Sequence, residues 1–172
     1  MLKGDKIYLR ALEPSDADQI LAWENNPEKW RLSNTIAPYS KHLIDAYVNS
    51  AQDVYQIRQV RLMICDNESA LACGAVDLFE YEPMHQRAGV GILVNKELRG
   101  KGYAQEALRL VDDYAVNHLG IRNLYCSIQG DNEASIALFE KAGYKSVGRR
   151  SNWFNIGGDW IDELLYQKLL IK

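Results

Sequence analysis

The chain has 172 residues, 47% of them hydrophobic and 25% charged, the composition of a soluble globular protein with material for one domain over 1–172. Its 20 basic and 23 acidic residues leave a net charge of −3, so it lacks the basic footprint of a general nucleic-acid binder and admits a cationic ligand. No apolar run approaches the roughly 18 residues of a membrane span. The start, Met1-Leu2-Lys3-Gly4-Asp5, has no signal-peptide core. Cys65, Cys73 and Cys126 lie in apolar runs as free buried thiols, without metal spacing and without the even count of a disulfide framework. These features predict a cytoplasmic protein with no metal, no membrane partner and no nucleic-acid partner.

Strand-like and helix-like periods alternate along the whole chain. Residues 7–12 read as a strand. Ser15-x-x-Asp18 after Pro14 has the pattern of a capping box, and Ala17, Ile20, Leu21 and Trp23 follow at helical spacing, up to Asn25-Asn26-Pro27. Residues 28–40 read as irregular. Leu43, Ile44, Tyr47 and Val48 form a second helical stripe capped by Ser40.

Three strands are predicted at about 55–65, 71–81 and 86–94, joined by short turns and hence antiparallel. A charged, glycine-bearing loop then opens a long helix to about His118, with Gly120 as its stop. A strand at 121–128, a helix capped by Asn132 and closed by Gly143, and two strands joined by Gly157-Gly158-Asp159 complete the order β-α-α-β-β-β-α-β-α-β-β. The class is α+β, with a strand–helix–strand crossover following an antiparallel group.

The loop Arg99-Gly100-Lys101-Gly102-Tyr103-Ala104 carries the most chemistry. A helix N-terminus offers unpaired N–H groups and the positive end of the macrodipole. Glycines let a ligand approach the backbone, and Arg99 and Lys101 add positive charge, so the segment suits a phosphate or diphosphate. A plain basic helix start has the same residues, and both readings stand at this point. The signatures of nucleotide-hydrolysing P-loops and of dinucleotide folds are absent.

Arg99-x-x-Gly102-x-Ala104 resembles the acetyl-CoA signature of the GNAT N-acetyltransferases. The segment from Asn132 to Tyr144, with Ser135, Leu138, Phe139, Lys141 and Gly143 at matching positions, is similar to the second CoA-side motif of that family. Leu9 to Ala17 and Trp23-Glu24-Asn25-Asn26 resemble the branch that contains ribosomal-protein N-terminal and diamine acetyltransferases.

The resemblance implies a GNAT fold, a mixed and mostly antiparallel sheet with helices on both faces, and acetyl-CoA as co-substrate in a V between two splayed parallel strands. Ile92, Leu93 and Val94 match the strand that pairs with the pantetheine amides. Arg99 to Ala104 match the diphosphate loop, and Asn132 and Phe139 match cofactor-side positions, with a helix N-cap as the plainer role of Asn132. Glu24, Trp30 and Trp153 fall where relatives build the acceptor pocket; each aromatic suits core packing equally.

Two positions depart from the family pattern. Gly89 stands where many members carry a basic Glu, and Phe139 where many carry a Tyr. A replacement base is sought first in Asp77, whose plainer role is a structural hydrogen bond, and then in Glu80 and Glu82, which approach a turn and suit a solvated position equally. The implied activity is acetyl transfer to a primary amine, a small polyamine-like molecule or a peptide N-terminus. A non-catalytic CoA-binding module is the alternative. A homodimer through the C-terminal strands is compatible with the pattern.

Overall fold

The computed structural model describes residues 1–33, 35–50 and 53–170, Lys29 by its backbone alone. It divides into two compact units, one of residues 12–52 and one of residues 1–11 with 53–172.

The smaller unit holds three helices, α1 (Ala17–Glu24), α2 (Pro27–Ser33) and α3 (Lys41–Val48). The expected capping box at Ser15 is replaced by a 3-10 turn over Pro14–Asp16, in which Asp16 reaches back to accept the Glu13 N–H at 2.9 Å. The stretch expected to be irregular begins instead with α2. Pro27, read as a terminator, is a favoured first helical residue, and the side chain of Asn26 accepts the Glu28 N–H at 3.0 Å. Ser40 caps α3 as expected, taking the Leu43 N–H at 3.2 Å. α1 packs against α3, and Lys41 joins them by ion pairs to Asp18 (2.9 Å) and Asp45 (2.7 Å).

The larger unit holds β1 (Leu2–Lys3), β2 (Ile7–Ala11), α4 (Val54–Ile57), β3 (Val60–Asp66), β4 (Ala72–Glu82), β5 (Arg87–Val94), α5 (Tyr103–Asn117), β6 (Asn123–Gln129), α6 (Glu133–Lys141), β7 (Lys145–Ile156) and β8 (Asp159–Leu169). The strand predicted from residue 55 starts five residues late. Asp53 caps α4 through the Tyr55 N–H at 2.9 Å, and Arg58 ends it in the left-handed region at φ +54°. β1 was not read from the sequence; two residues carry no periodicity.

The strands form one eight-stranded sheet in the order β1-β2-β3-β4-β5-β6-β8-β7. Among the described residues β5 and β6 are the one parallel pair, as the α5 crossover requires. α5 packs across β1, β2, β4 and β5, and α6 packs against α5. Strand alternation turns Val76, Leu78, Ala88, Val90, Leu124, Cys126 and Ile128 toward the core that holds Leu108, Val111 and Ala115 of α5. Asp77, Phe79 and Tyr125 therefore face the other side. Cys65, Cys73 and Cys126 are free and buried. No helix among the described residues is long and apolar enough to cross a membrane.

Candidate active site

The parallel ladder between β5 and β6 has three rungs: Arg87–Asn123, Ala88–Leu124 and Gly89–Tyr125. Beyond them the strands part. Gly91 to Val94 stay paired with β4, and Cys126 to Gln129 with β8, so each strand leaves its partner without leaving the sheet. The facing edges of Ile92, Leu93 and Val94 and of the β6 end form a V with backbone amides on its walls. An extended diamide can add to such an edge as a strand would.

The glycine loop follows β5 after a 3-10 turn over Lys96–Leu98. Gly100 and Gly102 have φ of +78° and +87°, which side-chain-bearing residues avoid, and Gly102 is the N-cap of α5. Arg99, Gly100, Lys101 and Gly102 are exposed, and Ala104 is half-buried. Tyr103 turns inward. Its ring is buried, and its hydroxyl donates to Asp66 in the β3–β4 turn at 2.5 Å. That hydrogen bond pushes the Tyr103 phenol up to about 12 and, with the Ser69 and Glu68 donors, holds Asp66 down at about 2. Tyr103 thus anchors the glycine loop through a side chain that is turned into the protein.

Asn132 caps α6 by accepting the Ser135 N–H at 3.2 Å, the plainer of its two expected roles. Phe139 is buried, edge-on to the Tyr144 ring at 5.0 Å between centroids, so its side chain is core. Burial also drives the Tyr144 phenol strongly upward.

The missing Glu has a steric counterpart. A Cβ on Gly89 would overlap the Phe79 ring, which comes from the register partner of Gly89 on β4. Asp77 lies in the next row on the same face, between Arg61 and Gly91. The Arg61 guanidinium grips both its oxygens, Nε to Oδ1 at 2.7 Å and Nη2 to Oδ2 at 3.0 Å, with both side chains less than one-fifth exposed. This is a bidentate ion pair that takes one lone pair on each carboxylate oxygen.

Glu80 stands at a bulge where the β4–β5 register shifts between Phe79 and Glu82, with φ of +48°. The bulge releases its side chain from the strand alternation. Its carboxylate accepts from the Tyr125 hydroxyl at 2.5 Å. Burial, and then the Glu80 charge, push the Tyr125 phenol up to about 12, so Tyr125 remains a donor at neutral pH. Arg58, Phe79, Glu80, Glu82, Arg87 and Tyr125 line a cavity of about 490 Å³ at the closed end of the V. Within it Arg58 pairs with Glu82 at 3.1 Å.

Tyr125, Phe79 and Arg61 were missed by sequence reasoning. Their only sequence signal is that they fall within predicted strands; register alone brings them to Gly89, Glu80 and Asp77. Of the expected acceptor residues, Trp30 donates from Nε1 to the Glu24 carbonyl at 2.8 Å within the smaller unit. Trp153 belongs to the larger unit, on β7, with its ring 54% exposed and stacked by the Arg150 guanidinium at 4.8 Å. Among the described residues no three His, Cys, Asp or Glu side chains gather as a metal site.

The chain is similar to known proteins along most of its length. The family profile of the acetyltransferase (GNAT) domain matches residues 6–145. The spermidine N(1)-acetyltransferase of Escherichia coli K12 is 31% identical over 162 residues, covering 93% of this chain and 84% of that protein. The Vibrio cholerae spermidine N(1)-acetyltransferase is 26% identical over 168 residues, covering 92% and 90%. A crystal structure of the Vibrio cholerae spermidine N-acetyltransferase with CoA and spermine superposes with a TM-score of 0.86 at 24% identity, covering 97% of each chain, a likeness of fold. The family profile and the 31% identity show that this chain belongs to the GNAT family of acetyl-CoA-dependent N-acetyltransferases.

Proposed function

We propose that this protein transfers acetyl from acetyl-CoA to a primary amine of a small polyamine, by direct attack within a ternary complex. The observation that carries the reading is the exposed Glu80 carboxylate, hydrogen-bonded to Tyr125 beside the last rung of the parallel ladder. The 31% identity to a spermidine acetyltransferase and the chain's net acidity support a cationic acceptor.

The chemistry assigns the remaining roles. An amine whose ordinary pKa is about 10 must lose a proton before it attacks. Glu80 attracts the ammonium and takes that proton, directly or through one water. Asp77, held by Arg61, serves the sheet and not the proton. Backbone N–H groups on the free edge of β5 receive the oxyanion that develops on the thioester carbonyl. Phe139 has no proton to give, so CoA departs as a thiolate, which a thiol of pKa about 8.5 tolerates near neutral pH. Ile92 to Val94 hold the pantetheine and Arg99 to Ala104 the diphosphate.

The test is thiol release from acetyl-CoA with spermidine, spermine, shorter diamines and peptide N-termini as acceptors. Turnover with the polyamines and not the peptides is expected. Turnover with peptides alone reassigns the acceptor, and CoA binding without turnover on any amine overturns the enzymatic reading. Trp153, in the same unit as Glu80, is proposed to contribute to amine binding; its replacement then raises the amine KM. A homodimer is proposed through the β7 edge, which pairs with β8 on one side only.

A further inference from the structure

Lys6 lies outside both cofactor motifs, in the turn between β1 and β2. Its ammonium donates to the backbone carbonyl of Lys101 at 3.0 Å, across 95 residues of sequence. The same ammonium stands 3.5 Å from the place a Cβ on Gly102 would take. The turn that carries Lys6 is itself pinned. Glu106, on the first turn of α5, accepts the N–H groups of Asp5 and of Lys6, the latter at 3.1 Å. The Asn67 side chain donates to the carbonyls of Gly4 (3.0 Å) and Asp5 (2.9 Å), and its N–H donates to the carbonyl of Lys6 (2.9 Å). The Lys6 backbone is therefore fixed on both sides, and its side chain bridges from a fixed base to the loop.

The Lys101 carbonyl and the Gly102 N–H belong to one trans peptide unit, in which C=O and N–H point in opposite directions. An ammonium held on the carbonyl side turns the Gly102 N–H to the far side. Gly102 leaves its side of this peptide little intrinsic preference, so an external contact has to choose its orientation.

We propose that Lys6 is a positioning residue for the cofactor loop: through the Lys101 carbonyl it orients the Lys101–Gly102 peptide so that the Gly102 N–H faces the diphosphate of acetyl-CoA. This rests on the reading of residues 99–104 as the diphosphate site. Lys6 acts without touching the reacting atoms, so its signature is confined to the cofactor.

The experiment compares wild type, Lys6→Met and Lys6→Arg in CoA binding by calorimetry and in steady-state kinetics, each at low and high salt. Lys6→Met is expected to weaken CoA binding about five- to tenfold, the loss of one charge-assisted hydrogen bond, with the acetyl-CoA KM rising by the same factor. Its kcat and amine KM stay at wild-type values, and Lys6→Arg, which keeps a donor and a charge, recovers most of the affinity. The ratio between wild type and Lys6→Met persists at high salt, because a contact hydrogen bond is not screened as a through-space charge is. Unchanged CoA affinity in Lys6→Met overturns the proposal. A ratio that collapses at high salt overturns it too, in favour of direct charge attraction, as does a parallel loss in kcat and amine affinity. A wild-type protein that binds no CoA overturns the reading of the loop itself, which these variants then distinguish from a failure of Lys6 alone.

Discussion

The ring of Phe79 fills the space that a side chain on Gly89 would need. The two residues are register partners on β4 and β5, and Gly89 is also the last residue of β5 paired with β6. The room that a side chain at position 89 would need is thus filled by packing, and the carboxylate proposed as the base stands at the bulge one residue beyond Phe79.

The Phe79–Gly89 contact predicts a coupling. Gly89→Ala should destabilise the protein by about 1–3 kcal/mol through overpacking. In a Phe79→Ala background the same change should cost much less, a coupling of about 1 kcal/mol or more in a double-mutant cycle by urea denaturation. Additive effects would show that the ring moves aside freely.

Glu80 and Asp77 should part company under mutation. Glu80→Gln should lower kcat/KM for the amine by about a hundredfold or more, the usual loss for a general base. Asp77→Asn should act chiefly on stability, since it dissolves a bidentate pair with Arg61. The check is thiol release beside denaturation for both variants. A larger rate loss in Asp77→Asn would exchange the two roles.

The Tyr103–Asp66 bond sets a pH window. Asp66 is lowered from 3.8 to about 2, so its stabilising contribution is complete above about 4 and fades as pH falls toward about 2. Tyr103 is raised from 10.0 to about 12, so its contribution is complete below about 10 and fades as pH rises toward about 12. The stability difference between wild type and Tyr103→Phe should be flat between these limits and shrink outside them, as read by denaturation across pH. A difference that stays constant through both flanks would mean that the hydroxyl and carboxylate do not interact.

Lys168 on β8 donates to Asp112 of α5 at 2.5 Å and to the Ala142 carbonyl at the end of α6 at 2.6 Å. Burial raises the Asp112 pKa against the lowering effect of Lys168. Lys168→Met should therefore cost about 3–5 kcal/mol by leaving a buried carboxylate without its cation. Adding Asp112→Leu should restore much of it. A group with a raised folded pKa loses its contribution as pH rises, so the single variant should be most stable in acid. Denaturation at acid and neutral pH reads both effects.

Much of the scaffold is legible from local chemistry. The caps at Ser40 and Asn132, the turn at Gly157-Gly158 and the crossover helix after Gly102 need only neighbours in sequence, so composition and period reveal them. Pro27 was misread because one residue both ends and begins helices, and Asn26 decides which. The strand before Val60 was overextended because apolar spacing at residues 54–57 suits a short helix as well as a strand.

By itself, then, the sequence determined the α+β order, the glycine loop and the motifs that carry the family. Only the tertiary structure decided that β5 and β6 part after Gly89, that Arg61 claims Asp77, that Tyr125 meets Glu80, and that Lys6 holds Lys101. The reason is physical. A cap or a turn is settled by hydrogen bonds a few residues long, whereas each of these four relations joins segments 16 to 95 residues apart. Sheet register selects the parting of β5 and β6 and the Arg61–Asp77 pair, and a shift of one residue would exchange both; a bulge places Glu80, and a turn fixed by Glu106 and Asn67 places Lys6.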